Sequence, residues 1–321
     1  MKSLSYPLVS VCTPTFNRRP FIPYMIKCFE HQDYPKDRIE WIILDDGTDP
    51  IGEMVEHIPC VKYFYYQEKM ILGKKRNLMH EKCNGDVIIY MDDDDYYPPD
   101  RISHAVDMLV KNPDYLIAGS SEMHIYYASQ QKLYQCGPYG PNHATAATFA
   151  FKKELLTNTN YGNEKAMSEE RDFTKGYTIP MIQLDSRKSI LVFSHQHNTL
   201  NKEFLIENAE TTKTIPSKYT VDDFCMSPEM KQFYMYDVNK VLESYDAGKL
   251  KYKHEAVQQQ LEEFQAKVNS MKAANKPVNV NIQDIIKNFE EKLNNKDIII
   301  HKLMTRVKEL TEELQRRPLN N

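Results

Sequence analysis

The chain has 321 residues, 41% hydrophobic and 27% charged, which suits a globular protein with one α/β enzyme domain and an added module. Its formal charge of −4 is uneven: residues 1–250 hold 28 basic and 35 acidic side chains (−7), residues 251–321 hold 13 and 10 (+3). An acidic front half lacks the basic surface that nucleic acid requires, and no run approaches the roughly 20 apolar residues of a membrane span, so neither partner is expected.

In chain order, residues 8–12 form a short apolar, β-branched run that ends at Thr13-Pro14-Thr15 and predicts a first strand. Residues 21–32 follow with helical spacing of their apolar positions. Residues 41–44 predict a second strand, stopped by Asp45-Asp46-Gly47; residues 61–66 predict a third and 75–82 a helix. Residues 87–91 predict a fourth strand, closed by four aspartates, and 101–111 a further helix. Such alternation implies a largely parallel sheet covered by helices on both faces, with ligands at the carboxyl ends of its strands. Residues 116–200 read as short mixed strands and loops, with 149–156 a strand running into a helix.

Beyond about Pro228 the composition shifts to Gln, Glu, Lys and Asn. Val257, Leu261, Phe264, Val268 and Met271 fall at alternating spacings of three and four. So do Ile286, Phe289, Leu293, Lys296, Ile300, Leu303, Val307, Leu310 and Leu314, and Pro277 separates the two runs. That alternation is the coiled-coil pattern and predicts a homo-oligomer. The expected domains are therefore 1–227, catalytic; 228–252, a helical linker; and 253–317, a coiled coil or helical hairpin. The six cysteines, Cys12, Cys28, Cys60, Cys83, Cys136 and Cys225, form no CxxC pair, and the N-terminus carries no small-residue cleavage site. Reduced thiols in the cytoplasm are the expectation, without a disulfide framework or structural zinc.

Asp92-Asp93-Asp94-Asp95 is the most informative feature. Four adjacent carboxylates repel one another unless they are solvated or hold a cation. Placed directly after a core strand, they suit Mg²⁺ or Mn²⁺, which bridges carboxylates to substrate phosphates. Asp45-Asp46-Gly47-Thr48 could accept hydrogen bonds from a nucleobase and ribose, though Asp-Gly is also an ordinary turn. Gly73-Lys74-Lys75-Arg76-Asn77 is cationic at a helix start and could hold a pyrophosphate, without the spacing of a P-loop.

Together these stretches resemble glycosyltransferase family 2. PLVSVCTPTFNR resembles the family's first strand and donor-base loop, EWIILDDGTD the second, GKKRN the arginine-bearing loop and GDVIIYMDDDDYYPPDRI the DxD strand. TAATFAFKKELL resembles the border of the acceptor pocket, SEERDF the motif that bears the catalytic base and SHQHNT a late metal-binding histidine segment. The resemblance implies a GT-A fold: α/β, doubly wound around a mixed, mostly parallel sheet, here followed by the C-terminal helical coiled coil. It implies an inverting, metal-dependent enzyme using Mn²⁺ or Mg²⁺ to move a sugar from a nucleotide-sugar, by family habit a UDP-sugar, to a glycan or protein hydroxyl. Donor contacts would come from Thr13, Pro14, Thr15, Asp45, Asp46 (nucleobase), Arg76 (pyrophosphate), Asp92 (ribose or a metal-bound water) and Asp93. Asp94 and His195 would ligate the metal, with His197 the alternative to His195. Glu170 stands at the base position, with Glu169 and Asp172 open. A sugar-nucleotide pyrophosphorylase is the rival enzyme class, but its glycine-rich loop is missing after the first strand. The non-enzymatic rival is a carbohydrate-binding module on a coiled-coil scaffold.

Overall fold

The computed structural model describes residues 6–200, 202–225 and 227–273. Its main sheet begins with four parallel strands, β1 (Val9–Thr15), β2 (Ile39–Asp45), β3 (Val61–Tyr65) and β4 (Val87–Tyr90), lying in the order β3-β2-β1-β4. β5 (Ile117–Gly119), β8 (Ala150–Lys152) and β9 (Met181–Gln183) extend it as β4-β8-β5-β9, with β8 antiparallel to both neighbours. A second sheet runs β10-β6-β7-β11, from β6 (Met123–Tyr127), β7 (Lys132–Cys136), β10 (Leu191–Ser194) and β11 (Thr214–Pro216).

Every residue of β2 is buried, as expected of a central parallel strand covered on both faces. Alternate side chains feed two separate cores. Val9, Val11, Trp41, Ile43, Val87 and Ile89 enter one, with the Ile22–Glu30 and Arg101–Lys111 helices. Cys12, Ile42, Leu44, Ile88 and Tyr90 enter the other, against Met79 and Cys83. The expected α/β architecture is therefore present, and the sheet is mixed. Its four early strands fall where the apolar runs put them, within a few residues at each end. The later strands are only three to five residues long, too short to show a period.

Residues 228–252, expected as a linker, are largely built into the first unit. Phe233, Tyr234, Val238 and Leu242 belong to its larger core, and the Phe233 ring stacks on Tyr24 at 3.6 Å. The chain divides between Gly248 and Lys249, because aromatic burial outweighs the polar composition that suggested a break at 227. The second unit contains a helix, His254–Ala273, over the first heptad segment. The segment from Ile286 to Leu314 lies outside the described residues.

Candidate active site

β1, β2 and β4 are parallel and in register, Thr15 opposite Asp45 and Cys12 opposite Tyr90, so the segments that follow them share one edge of the sheet. After β1 the chain turns at Asn17, whose φ of 53° is the left-handed conformation that Asn tolerates. Asn17 Oδ1 accepts from Asp49 N at 3.1 Å and Asn17 Nδ2 donates to Ala247 O at 2.9 Å, which locks the turn. Arg18 is thereby directed at the aspartates. Its Nη2 donates to Asp94 Oδ2 and to the His197 carbonyl, each at 3.1 Å, and its Nε lies 3.5 Å from Asp93 Oδ1.

The acidic turn is braced from three sides. Asp92 N donates to the Tyr97 hydroxyl at 2.7 Å, and the Tyr234 hydroxyl donates to the Asp95 carbonyl at 3.2 Å. Tyr96 and Leu191 exchange two backbone hydrogen bonds, which fastens the turn to β10. That strand delivers His195, whose Nε2 stands 3.2 Å from Asp94 Oδ2 and 2.8 Å from Asn198 Nδ2. The two residues expected to ligate a metal are thus brought together from positions 101 apart in sequence.

A third cluster forms behind them. Arg76 is 3% exposed; its Nε donates to Glu169 Oε1 at 2.8 Å, its Nη2 lies 3.7 Å from Asp92 Oδ1, and its guanidinium sits 4.2 Å from the Tyr90 ring centre. Gly73 makes this approach feasible, because a Cβ there would come within 2.0 Å of the Gly162 carbonyl, and Gly73 N already donates to Lys165 O at 2.9 Å. The loop held there leads directly into Glu169 and the short Glu170–Phe173 helix.

The electrostatics are short of positive charge. Burial pushes Asp93 up to about 7, helped by Asp94, and pushes Asp92 and Asp95 upward too. Burial acts on Asp94 in the same direction but is overcome by Arg18 and His195, which hold that carboxyl well below its ordinary range. Burial also lowers His195 to about 3, so its imidazole is neutral near pH 7 and able to ligate a cation. The buried atoms Arg18 Nη1, Arg76 Nη1 and Asp92 Oδ1 have no hydrogen-bond partner, an arrangement that a polar, charged ligand would satisfy. Asp94 Oδ2 and His195 Nε2 supply oxygen and nitrogen donors of the kind Mn²⁺ or Mg²⁺ accepts, at a spacing close to the roughly 3 Å between adjacent ligands of a small octahedral ion. Among the described residues no group of three or more such side chains forms a protein-only cage. The pair therefore fits a cation that draws its other ligands from phosphate and water.

Other expected site residues face inward. Thr13 Oγ1 donates to Met91 O at 2.6 Å and accepts from the Trp41 indole at 2.9 Å, so it braces β1 from a fully buried position. Asp45 is fully buried, with its oxygens taken by Gly47 N, Ile51 N and the Tyr63 hydroxyl. Asp46 holds Lys75 and Met70 N. Pro14 is half-buried and Thr15 buried at the strand's end. Of the three base candidates Glu169 is buried on Arg76, Glu170 is half-buried and Asp172 exposed. His197 is 2% exposed and its backbone carbonyl serves Arg18. Sequence reasoning missed Arg18 and Lys75 as internal counter-charges. Both lie inside the stretches that drew notice, but sequence does not show that their charges turn inward.

A family model described as glycosyl transferase family 2 matches residues 10–171. An uncharacterized glycosyltransferase of Haemophilus influenzae is 29% identical over 114 residues, 34% of this chain and 45% of that protein. The poly(ribitol-phosphate) beta-N-acetylglucosaminyltransferase TarS of Staphylococcus aureus is 28% identical over 109 residues, 30% of this chain and 18% of its own length. The chain thus spans less than half the length of these relatives. Among solved structures, the mannosyltransferase PcManGT from Pyrobaculum calidifontis, in complex with GDP-Man and Mn²⁺, aligns with a TM-score of 0.48 at 15% identity, covering 92% of this chain and 87% of that one.

Proposed function

The chain belongs to glycosyl transferase family 2, and we propose that it is an inverting, metal-dependent GT-A enzyme that moves a sugar from a UDP-sugar to an acceptor hydroxyl on a glycan or protein. The observation that carries this reading is the meeting of Asp94 with His195, beside Arg18 and the Asp92–Arg76–Glu169 cluster, at the carboxyl edge of β1 and β4.

In this reading Asp94 and His195 hold Mn²⁺ or Mg²⁺, which when bound neutralises the charge developing on the diphosphate leaving group. Arg18 and Arg76 each keep a buried Nη1 without a hydrogen-bond partner, and these would donate to that charge. Asp92 accepts from the ribose, while Pro14, Thr15 and Asp93 line the nucleotide end and Asp46 holds Lys75 behind it. Thr13 and Asp45 keep this edge rigid and leave the donor-contacting set. Glu169 fixes Arg76, and Glu170, first residue of the adjoining helix, takes the proton from the acceptor hydroxyl. That hydroxyl attacks the anomeric carbon opposite the diphosphate, forming the new glycosidic bond as the bond to phosphate oxygen breaks, so the configuration inverts.

Release of UDP from a panel of UDP-sugars, with Mn²⁺ and with chelator, tests the reading. Metal-dependent UDP release is expected. Incorporation of UTP into a sugar phosphate would instead assign a pyrophosphorylase, and neither reaction in any metal would leave a carbohydrate-binding module.

A further inference from the structure

A cleft of about 710 Å³ opens in the first unit between the β6–β7 hairpin, the 216–222 segment and the helical residues 228–236, and none of the active-site residues lines it. Its volume is within the range of ligand sites. Tyr236, on its wall, is 61% exposed, the most exposed large apolar side chain among the described residues. Tyr126, Tyr219 and Met235 add further apolar surface. Among the polar lining residues Gln131 and Lys132 are exposed, Gln232 Nε2 is bonded to Asp237 and Thr220 Oγ1 to Asp223, and Lys231 is paired with Asp222 at 2.6 Å. An exposed tyrosine beside hydrogen-bonding groups of little net charge suits a sugar, which has an apolar C–H face and a rim of hydroxyls. A nucleotide or phosphate would call for more than the one lysine, Lys132, that stands beside the Lys231–Asp222 pair, and an apolar peptide for a drier wall.

The cleft is rigid and linked to the acidic turn. Ser217 Oγ accepts from Tyr219 N at 3.0 Å and donates to His124 Nδ1 at 3.1 Å, and His124 Nε2 meets Glu122 at 3.2 Å. This chain of contacts sets the Tyr219 segment in place before any ligand arrives. The opposite wall contains a π-helical turn, Phe233–Asp237, a rare geometry that gathers at functional sites. It buries Phe233 and Tyr234, the latter bracing the Asp95 carbonyl, while Met235 and Tyr236 line the cleft.

We propose that this cleft binds neutral sugar units of an acceptor glycan away from its reacting hydroxyl, with Tyr236 as the stacking platform. This rests on the glycosyl-transfer reading above. The test uses the full chain with excess UDP and Mn²⁺ occupying the donor site, titrated with neutral hexose and N-acetylhexosamine oligosaccharides of graded length and followed by saturation-transfer NMR. At least one oligosaccharide should bind, Tyr236→Ala should weaken it about tenfold and Tyr236→Phe should preserve it. UDP release from the donor should be unchanged in both variants. Absence of oligosaccharide binding, equal binding by Tyr236→Ala, or loss of UDP release in that variant would each overturn the proposal. A wild-type chain that releases no UDP would instead overturn the transferase reading, so the two failures are distinguishable.

Discussion

Arg18 and Arg76 share the task of holding an acidic turn together from inside the protein. Removing one partner of a buried pair leaves a charge uncompensated, typically at about 3–5 kcal/mol. Arg18→Ala should therefore lower the melting temperature, and Mn²⁺ should raise it more in the variant than in the wild type, because the cation replaces the lost charge beside Asp94. Equal metal effects in both would deny that Arg18 and the ion serve the same carboxylates. The glutamates separate by kinetics. Glu170→Gln should cut turnover by roughly 10²–10⁴ with donor binding nearly intact. Glu169→Gln should chiefly weaken donor binding, because it loosens Arg76. If Glu169→Gln or Asp172→Asn gives the larger fall in turnover, the base is misassigned. At this scale, sequence located the motifs because each follows a strand, but it could not say which way a side chain turns. Thr13 and Asp45 sit among site residues by number and face the core by geometry.

Glu40 shows how one carboxylate ties three elements. On β2, it accepts from Ser10 of β1 at 2.5 Å, from Lys62 of β3 at 2.6 Å, and from Asn84 and Gly85 before β4. Burial pushes its pKa up, but Lys62, Ser10 and the Asn84 groups prevail and bring it down to about 2 from an ordinary 4.5. A folded value below the unfolded one stabilises fully above pH 4.5, and that stability disappears as pH falls toward 2. Acid unfolding followed by circular dichroism should show a weaker pH dependence between these limits in Glu40→Gln; an unchanged acid transition would refute this role for Glu40. Glu40 drew no attention in the sequence, where it is an ordinary charge at a strand's start. The strands it joins were legible because continuous apolar runs bounded by Asp-Gly and Asn-Gly leave few alternatives. The three-residue strands and the π-helical turn were not, because their placement depends on tertiary contacts.

At the scale of the molecule, the division at Gly248 and Lys249 changes where the catalytic unit should end. Truncation after Gly248 should leave a folded chain that still releases UDP. Truncation after Ser227 removes Phe233, Tyr234, Val238 and Leu242 from the core, each worth about 1.5–3 kcal/mol, and should unfold or aggregate. Comparison of the two by thermal melting decides between the boundaries. We also propose that the heptads from Ile286 to Leu314 make the chain a homo-oligomer; light scattering should find the full chain oligomeric and the 1–248 fragment monomeric. A composition shift suggested the earlier boundary, and composition does not report that four side chains of a polar segment are core. A cation-assisted nucleotide site on Asp94 can be tested by isothermal titration of UDP with and without Mn²⁺ in the wild type and in Asp94→Asn. The wild type should bind UDP more tightly with Mn²⁺ and the variant should lose that metal-dependent part; an undiminished Mn²⁺ effect in Asp94→Asn would contradict such a site.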